Sequence, residues 1–381
     1  MVLFLHNRYR TTGGEERVVD ELMALVREQL EEPVQLLVRD SADLRPARAA
    51  SALLRGGLAT ADVAKAVRVT GARVLHAHNL NPLFGWRALA AAKGAGARVV
   101  LHLHQYRLVC ATGVCFTGGE ECTRCHGRNT LPGVIHNCRG SRAEALAYAA
   151  SLALWQRRMT EQADAVIVPS MFARERLREL GAPLVDERVH IVPPPVHLTE
   201  RPAGVESGTY ALVVSRLAPE KGVDVAIDAC RIAGVPLVIA GDGPERDALC
   251  ARAAVAGADD GAATVRFVGH VDEAELARLR AGAALAIVPS RSAETFGMAA
   301  AEAMAAGLPV VASRVGALVE LVEGEGLVVP GDVRALADAI RRRRRDVAAG
   351  ARARARVTSL CSPGSIAGQL REVYGEADIG A

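Results

Sequence analysis

Short runs of aliphatic and β-branched residues alternate along the chain with longer stretches in which apolar residues recur at helical spacing. In the first half the runs predict strands at Val2–His6, Val34–Val38, Arg73–His78, Val99–His104 and Ala165–Pro169, with helical patterns over Glu16–Leu30 and Pro82–Lys93 between them. The second half repeats the scheme, with strands expected at Tyr210–Ser215, Pro236–Ala240, Val265–Gly269, Leu285–Pro289, Pro309–Ser313 and Leu327–Val329. Strands that alternate with helices are the pattern of parallel sheets wound by crossover helices. No short-period repeat accompanies it, so the similarity of the halves is architectural and not that of a solenoid. The fold class read from this pattern is α/β, with two Rossmann-like, doubly wound parallel-sheet domains.

A chain of 381 residues is too long for one ordinary core, which agrees with two halves. A boundary is expected near Val192-Pro193-Pro194-Pro195 and the Pro-, Gly- and charge-rich stretch Thr199–Gly208. The expected domains are therefore 1–196, carrying a cysteine-rich insertion at 105–140, and 209–360. A last segment, 361–381, is expected to cross back to the first domain through Ile366–Tyr374. Ligands of doubly wound sheets bind at the carboxyl ends of the strands. The expected site is a central cleft that the two domains face.

Composition narrows the function classes. Half of the residues are hydrophobic and 23% are charged, which argues against disorder. The net charge of +3, with no basic face interleaved with aromatics, excludes nucleic acid as the expected partner. No apolar run approaches bilayer length. The start, Met1-Val2-Leu3-Phe4-Leu5-His6-Asn7, reads as a buried first strand and not as a signal peptide. The expected location is cytoplasmic, which argues against a disulfide framework for the eight cysteines.

The strongest chemistry lies in the second half. Glu294-Thr295-Phe296-Gly297-Met298-Ala299-Ala300-Ala301-Glu302 places two carboxylates with seven residues between them, after a strand and at the opening of a helix. Glu294 falls on the loop and Glu302 inside the helix, among Ala and Met, where burial requires a hydroxyl or cationic partner. Free backbone N–H groups near Phe296 and Gly297 suit an anion. Upstream, Ser215-Arg216-Leu217-Ala218-Pro219-Glu220-Lys221-Gly222 follows the first strand of this half. Arg216 and Lys221 at such a turn suit a diphosphate; a solvated loop with a surface ion pair is the plain alternative.

With these residues in place, the second half resembles the nucleotide-sugar-binding domain of the retaining GT-B glycosyltransferases of family 4. Ala240-Gly241-Asp242-Gly243-Pro244, Phe267-Val268-Gly269 and Glu302-Ala303-Met304-Ala305-Ala306-Gly307-Leu308-Pro309-Val310 carry the same resemblance in order and spacing. It implies that Glu302 holds the ribose hydroxyls, that Glu294 lies beside the transferred sugar and that Arg216 and Lys221 bind the diphosphate. Phe296, Gly297, Gly241 and Val268 join the donor-binding set. The implied reaction is retaining transfer of a hexose-type sugar from a nucleotide-diphosphate sugar, a UDP sugar being the first candidate, with no catalytic metal required. The acceptor classes are a natural product, a polysaccharide or a glycolipid precursor. The competing readings are a GT-B nucleotide-sugar epimerase and a nucleotide-binding module without catalysis. A nicotinamide dehydrogenase lacks its G-x-G-x-x-G turn here.

In the first half, Gly13-Gly14 ahead of an acidic, apolar helix is by itself an ordinary turn, and matches the glycine loop of the family. His102 and His104 alternate with apolar residues and so share one face of a strand. His104 matches the family histidine that contacts the donor sugar, although Gln105 stands where relatives carry Asp. His102 reads as a core histidine. His76 and His78 repeat the geometry, with Asn7, His78 and Ser170 as acceptor-side candidates.

Five of the eight cysteines, Cys110, Cys115, Cys122, Cys125 and Cys138, fall in the insertion, with Cys122-Thr123-Arg124-Cys125 as a C-x-x-C pair. A structural zinc on Cys115, Cys122, Cys125 and Cys138 is one reading, with Cys110, His126 and His136 as competing ligands. Reduced cysteines that simply fill the loop are the other. Finally, the run Arg341–Arg345 with Arg352, Arg354 and Arg356 reads as a basic helix surface, solvated or in peripheral contact with an anionic membrane.

Overall fold

The computed structural model describes residues 1–8, 14–42, 44–58, 60–199, 203–256 and 264–375. Two compact units emerge: the first takes residues 1–117, 122–195 and the segment from Pro363, and the second takes 118–121 and 196–362.

Along the chain run β1 (Val2–Arg8), β2 (Val34–Asp40), β3 (Val74–Ala77), β4 (Arg98–His102), a short hairpin of β5 (Phe116–Thr117) and β6 (Glu120–Glu121), β7 (Ala165–Val168) and β8 (Val189–Ile191), all but β6 within unit 1. Apart from the hairpin these strands form one six-stranded sheet in the order β2-β1-β3-β4-β7-β8, parallel throughout. Val2 to Leu5 are fully buried because helices cover both faces of a parallel sheet. The helix Pro363–Tyr374, at the far end of the sequence, packs on β4 and on the helix Gly14–Gln29 of this unit.

Unit 2 holds β9 (Tyr210–Val214), β10 (Leu237–Ala240), β11 (Val265–Gly269), β12 (Ala283–Val288), β13 (Val310–Ser313) and β14 (Leu327–Val328). They form a parallel sheet in the order β11-β10-β9-β12-β13-β14. Two apolar clusters line it, one built around Met304, Leu318 and Val357, the other around Ile227, Leu285 and Ile340. Several helices open on a side-chain cap, the oxygens of Ser170, Asp272, Asp332 and Asp346 each accepting a backbone N–H three residues on.

The structure departs from three local expectations. The strands β3 and β4 stop at Ala77 and His102, so His78 and His104 lie just beyond them and not within them. Val189–Ile191 adds an edge strand that its three-residue length concealed. The basic run does not form one helix surface. The helix Val333–Arg343 ends inside it, Arg345 has a φ of 62°, and Asp346 caps a new helix, Val347–Cys361. Several of these arginines are tied inward: Arg343 is buried against Glu325 and Asp346, Arg345 donates to the Gly208 carbonyl, and Arg354 reaches Thr199 and the Ala305 carbonyl. Among the described residues no helix is long and apolar enough to cross a membrane.

Candidate active site where the strand order reverses

In an open α/β sheet, two neighbouring strands whose connections run to opposite sides leave a crevice at their carboxyl ends. In unit 2 that reversal falls between β9 and β12, and in unit 1 between β1 and β3.

Both unit 2 loops at the reversal carry the charged residues singled out in the sequence. Lys221 Nζ, from the loop after β9, donates to Glu294 Oε1 from the loop after β12 at 2.7 Å. Ser290 Oγ donates to the same oxygen at 2.6 Å. Burial opposes the charge of Glu294, but the Lys221 cation and the two hydrogen bonds outweigh it and hold the carboxyl below its ordinary value. The loops are also sewn together through their backbones, the N–H of Arg291 donating to the Glu220 carbonyl at 2.8 Å. Arg216 pairs with Glu220, which is buried, while its own side chain is 55% exposed and so open to an anion.

Glu302 lies in the helix Met298–Ala305 that Gly297 opens with a φ of 99°. Its cationic partner is Arg280, a buried arginine that also holds Glu273 at 3.2 Å. Phe296 is buried in the core beside Leu318, so it offers its backbone and not its ring to the crevice. Gly241, at the end of β10, faces the β9 loop so closely that a Cβ there would stand 1.9 Å from the Ser215 carbonyl oxygen. Val268 sits on the edge strand β11 against the same core cluster as Phe296.

The position of Glu294 depends on a third loop. Gly316, after β13, has a φ of 60°, and a Cβ on it would fall 2.3 Å from the Glu294 nitrogen. Next to it, the Ala317 N–H donates to the Glu294 carbonyl at 2.8 Å. Arg280 and Gly316 were not visible as site residues in the sequence, because each acts through a partner about two dozen residues away. Glu220 and Ser290 act on Arg216 and Glu294 only four residues off, and read in the sequence as ordinary loop residues.

In unit 1, Asn7 is buried at the end of β1 and ties the reversal together. Its N–H donates to the Asn79 carbonyl at 2.8 Å, and Asn79 Nδ2 returns a hydrogen bond to the Asn7 carbonyl at 2.6 Å. Ser170 caps the helix Met171–Glu179 through the Ala173 N–H. Both have structural work here whatever else they contact. Gly14 is exposed at the start of its helix, and Gly13 lies outside the described residues.

The four histidines form one stack. Neighbouring rings lie 4.2–5.3 Å apart, and the hydrogen bonds run Tyr374 Oη to His76 Nδ1 (2.7 Å), His76 Nε2 to His102 Nδ1 (3.1 Å) and His78 Nδ1 to His104 Nε2 (2.8 Å). Burial lowers the pKa of all four, that of His76 to about 3. Ligand atoms of His76, His78 and His102 lie within 4.8 Å of one another. Their planes, however, are tilted by only 11–29°, so the in-plane lone pairs do not converge on one ion. The set is a stacked, neutral core that positions His104.

The five insertion cysteines line one small cavity in unit 1, with His136 beside them and no disulfide among them. His126 instead bridges to Asn129.

Comparison with known proteins agrees with both units. A profile described as Glycosyl transferases group 1 matches residues 208–346, and one described as Glycosyl transferase 4-like domain matches residues 13–195. Glycogen synthase of Mycobacterium tuberculosis is 40% identical over 175 residues, 43% of this chain and 41% of that protein. A GDP-mannose-dependent alpha-(1-6)-phosphatidylinositol dimannoside mannosyltransferase of the same species is 35% identical over 192 residues, 47% of this chain and 48% of its own. The chain thus spans less than half the length of these curated relatives. Among solved structures, Anabaena HepE in complex with UDP-glucose has a TM-score of 0.65 at 20% identity, covering 99% of both chains. Sucrose-phosphate synthase from Thermosynechococcus elongatus has a TM-score of 0.69 at 20% identity, covering 98% of both.

Proposed function

Because the chain belongs to the group 1 glycosyltransferases, with their GT-B architecture of two Rossmann-like parallel-sheet units, we propose that it transfers a hexose-type sugar from a nucleotide-diphosphate sugar with retention at the anomeric carbon. The observation that carries the reading is the Lys221–Glu294 pair at the strand-order reversal of unit 2, flanked by the exposed Arg216. A carboxylate that already holds a cation is pre-set to sit between a diphosphate and a sugar.

In this reading Arg216 and Lys221 take the diphosphate, Glu302 the ribose hydroxyls, and Glu294 a hydroxyl of the sugar. The bond between the anomeric carbon and the diphosphate oxygen breaks as positive charge grows on the sugar. The acceptor hydroxyl attacks from the side the diphosphate leaves, and its proton passes to the departing phosphate oxygen. Fixed cations and the amides opening the helix at Gly297 stabilise the leaving charge without a metal ion. Gly14 and His104, carried by unit 1, are assigned to the donor phosphate and the sugar by the family resemblance. Asn7, His78 and Ser170 remain acceptor-side candidates.

The acceptor classes in this reading are a natural product, a polysaccharide or a glycolipid precursor. HepE supports a UDP sugar and the mannosyltransferase a GDP sugar, so the donor base is the first thing to measure. A thermal-shift screen of UDP, GDP, ADP and dTDP and their sugars is expected to raise Tm with one base, and to lose the shift in Lys221→Ala. No shift with any of them overturns the donor site. Donor consumption without any acceptor would instead indicate an epimerase.

A further inference from the structure

The transfer reaction leaves the insertion unexplained. Between His104 and Ser141 the chain forms only a two-residue-a-side hairpin and the short helix Leu131–Ile135. A connection of this length with so little regular structure usually has something else to hold it. It is held to unit 1 at its start, where Tyr106, Leu108 and Val109 are buried, and again at Gly127–Thr130, where the Gly127 N–H donates to the Leu180 carbonyl at 2.7 Å and Thr130 Oγ1 to the Ala149 carbonyl at 2.7 Å. Left-handed residues at Cys115 and Asn137 turn the chain on either side of this second anchor.

Within the loop lies the cavity lined by Cys110, Cys115, Cys122, Cys125 and Cys138. The thiols there have no strong partner. The nearest groups are Thr112 Oγ1 at 3.2 Å from Cys110, the Thr130 carbonyl at 3.9 Å from Cys125, Thr117 Oγ1 at 4.0 Å from Cys138 and Arg124 Nη1 at 3.6 Å from Cys122. Backbone bonds already place the thiol-bearing segments side by side: Cys122 N–H donates to the Cys115 carbonyl at 2.7 Å and Cys138 N–H to the Gly133 carbonyl at 3.0 Å. Cys110, Cys115 and Cys125 back onto the apolar core of unit 1, and four of the five, Cys115 excepted, are half-buried around the shared space.

We propose that this cavity is a structural zinc-class metal site, with Cys122 and Cys125 as a C-x-x-C pair, Cys138 as third ligand and either Cys115 or Cys110, which line the same space, as the fourth. Four thiolates close a tetrahedral shell and leave no position for substrate, so the ion fixes the loop and takes no part in transfer. Among the described residues no three of these thiols come within 4.8 Å of one another, so binding requires the ion to draw them inward as each loses its proton. Cys110 keeps its place as a competing ligand, as expected from the sequence.

The test uses the full chain, purified under reducing conditions and exchanged with cobalt. The expected result is about one metal per chain and an intense thiolate-to-cobalt charge-transfer band. Both are lost in Cys122→Ser and in the double variant Cys110→Ser/Cys115→Ser, and both are kept in Cys250→Ser, outside the loop. Should the loop variants fail to fold, titrating a chelator into the native protein gives the same answer: the band disappears and Tm falls by several degrees. A reduced, folded chain that binds no zinc or cobalt overturns the site, as does a cobalt spectrum without charge transfer. A Cys–Cys disulfide in place of metal overturns it equally.

Discussion

Lys221 and Glu294 stand 73 positions apart in sequence and 2.7 Å apart in space, one on each loop flanking the strand-order reversal of unit 2. Their pairing turns a topological crevice into a charged one. Lys221→Ala removes the cation that faces the leaving diphosphate, and kcat is expected to fall by about 10²- to 10³-fold. It also leaves Glu294 buried without its charge partner. Comparing Lys221→Ala with Glu294→Gln separates the effects: both lower kcat, but only Lys221→Ala abolishes the thermal shift with free nucleotide. Wild-type turnover in Lys221→Ala would sink the assignment.

The Arg280–Glu302 pair predicts a different signature. Both side chains are nearly buried, so Arg280→Met strands a carboxylate in the helix and is expected to cost roughly 3–5 kcal/mol. Adding Glu302→Gln should recover part of that stability while nucleotide affinity stays low. Chemical denaturation measures the first and calorimetric titration the second. If the double variant binds nucleotide like the native chain, Glu302 does not hold the ribose.

Gly316 touches no ligand-facing charge, yet Gly316→Ala is expected to lower both stability and kcat. The new methyl group would collide with the Glu294 backbone at a left-handed φ, a strain of about 1–3 kcal/mol. Unchanged Tm and unchanged kcat together would show that the β13 loop does not position Glu294.

The histidine stack sets the acid limit. Burial holds these imidazoles neutral, with folded pKa values below the ordinary 6.5 and His76 near 3. The unfolded chain therefore takes up protons first. Their contribution is complete above about pH 6.5 and is lost as pH falls toward the folded values. Glu294 acts in the same direction at lower pH, below its ordinary carboxylate value. Tm should drop from pH 7.5 to 5, with a slope corresponding to more than one proton taken up on unfolding; a flat profile would contradict a neutral stack.

Much of this was legible in the sequence because it is local. Buried parallel strands read as continuous apolar runs, and β1, β9 and β12 were found that way. The alternation His-x-His was enough to put His102 and His104 on one face. It could not give the register that lays β3 beside β4 and stacks four rings, since pairing between strands is a long-range choice. The same limit hid Arg280: a carboxylate among alanines demanded a cation, but nothing local said which of the many arginines would answer. It also hid Tyr374, which meets His76 from 298 residues away.

That last contact bears on how the chain is made. The residues of unit 2 are almost continuous, so its sheet has all its strands as soon as they have been synthesised. Unit 1 begins first and finishes last: until the helix Pro363–Tyr374 emerges, β4 lacks one of the helices that pack on it and His76 lacks its phenol. A nascent chain stalled at residue 195 would hold a complete set of unit 1 strands over an open apolar face, a substrate for chaperones and proteases. Expression of residues 1–195 alone should therefore yield aggregate, while co-expression with a fragment bearing Pro363–Tyr374 should return part of it to solution.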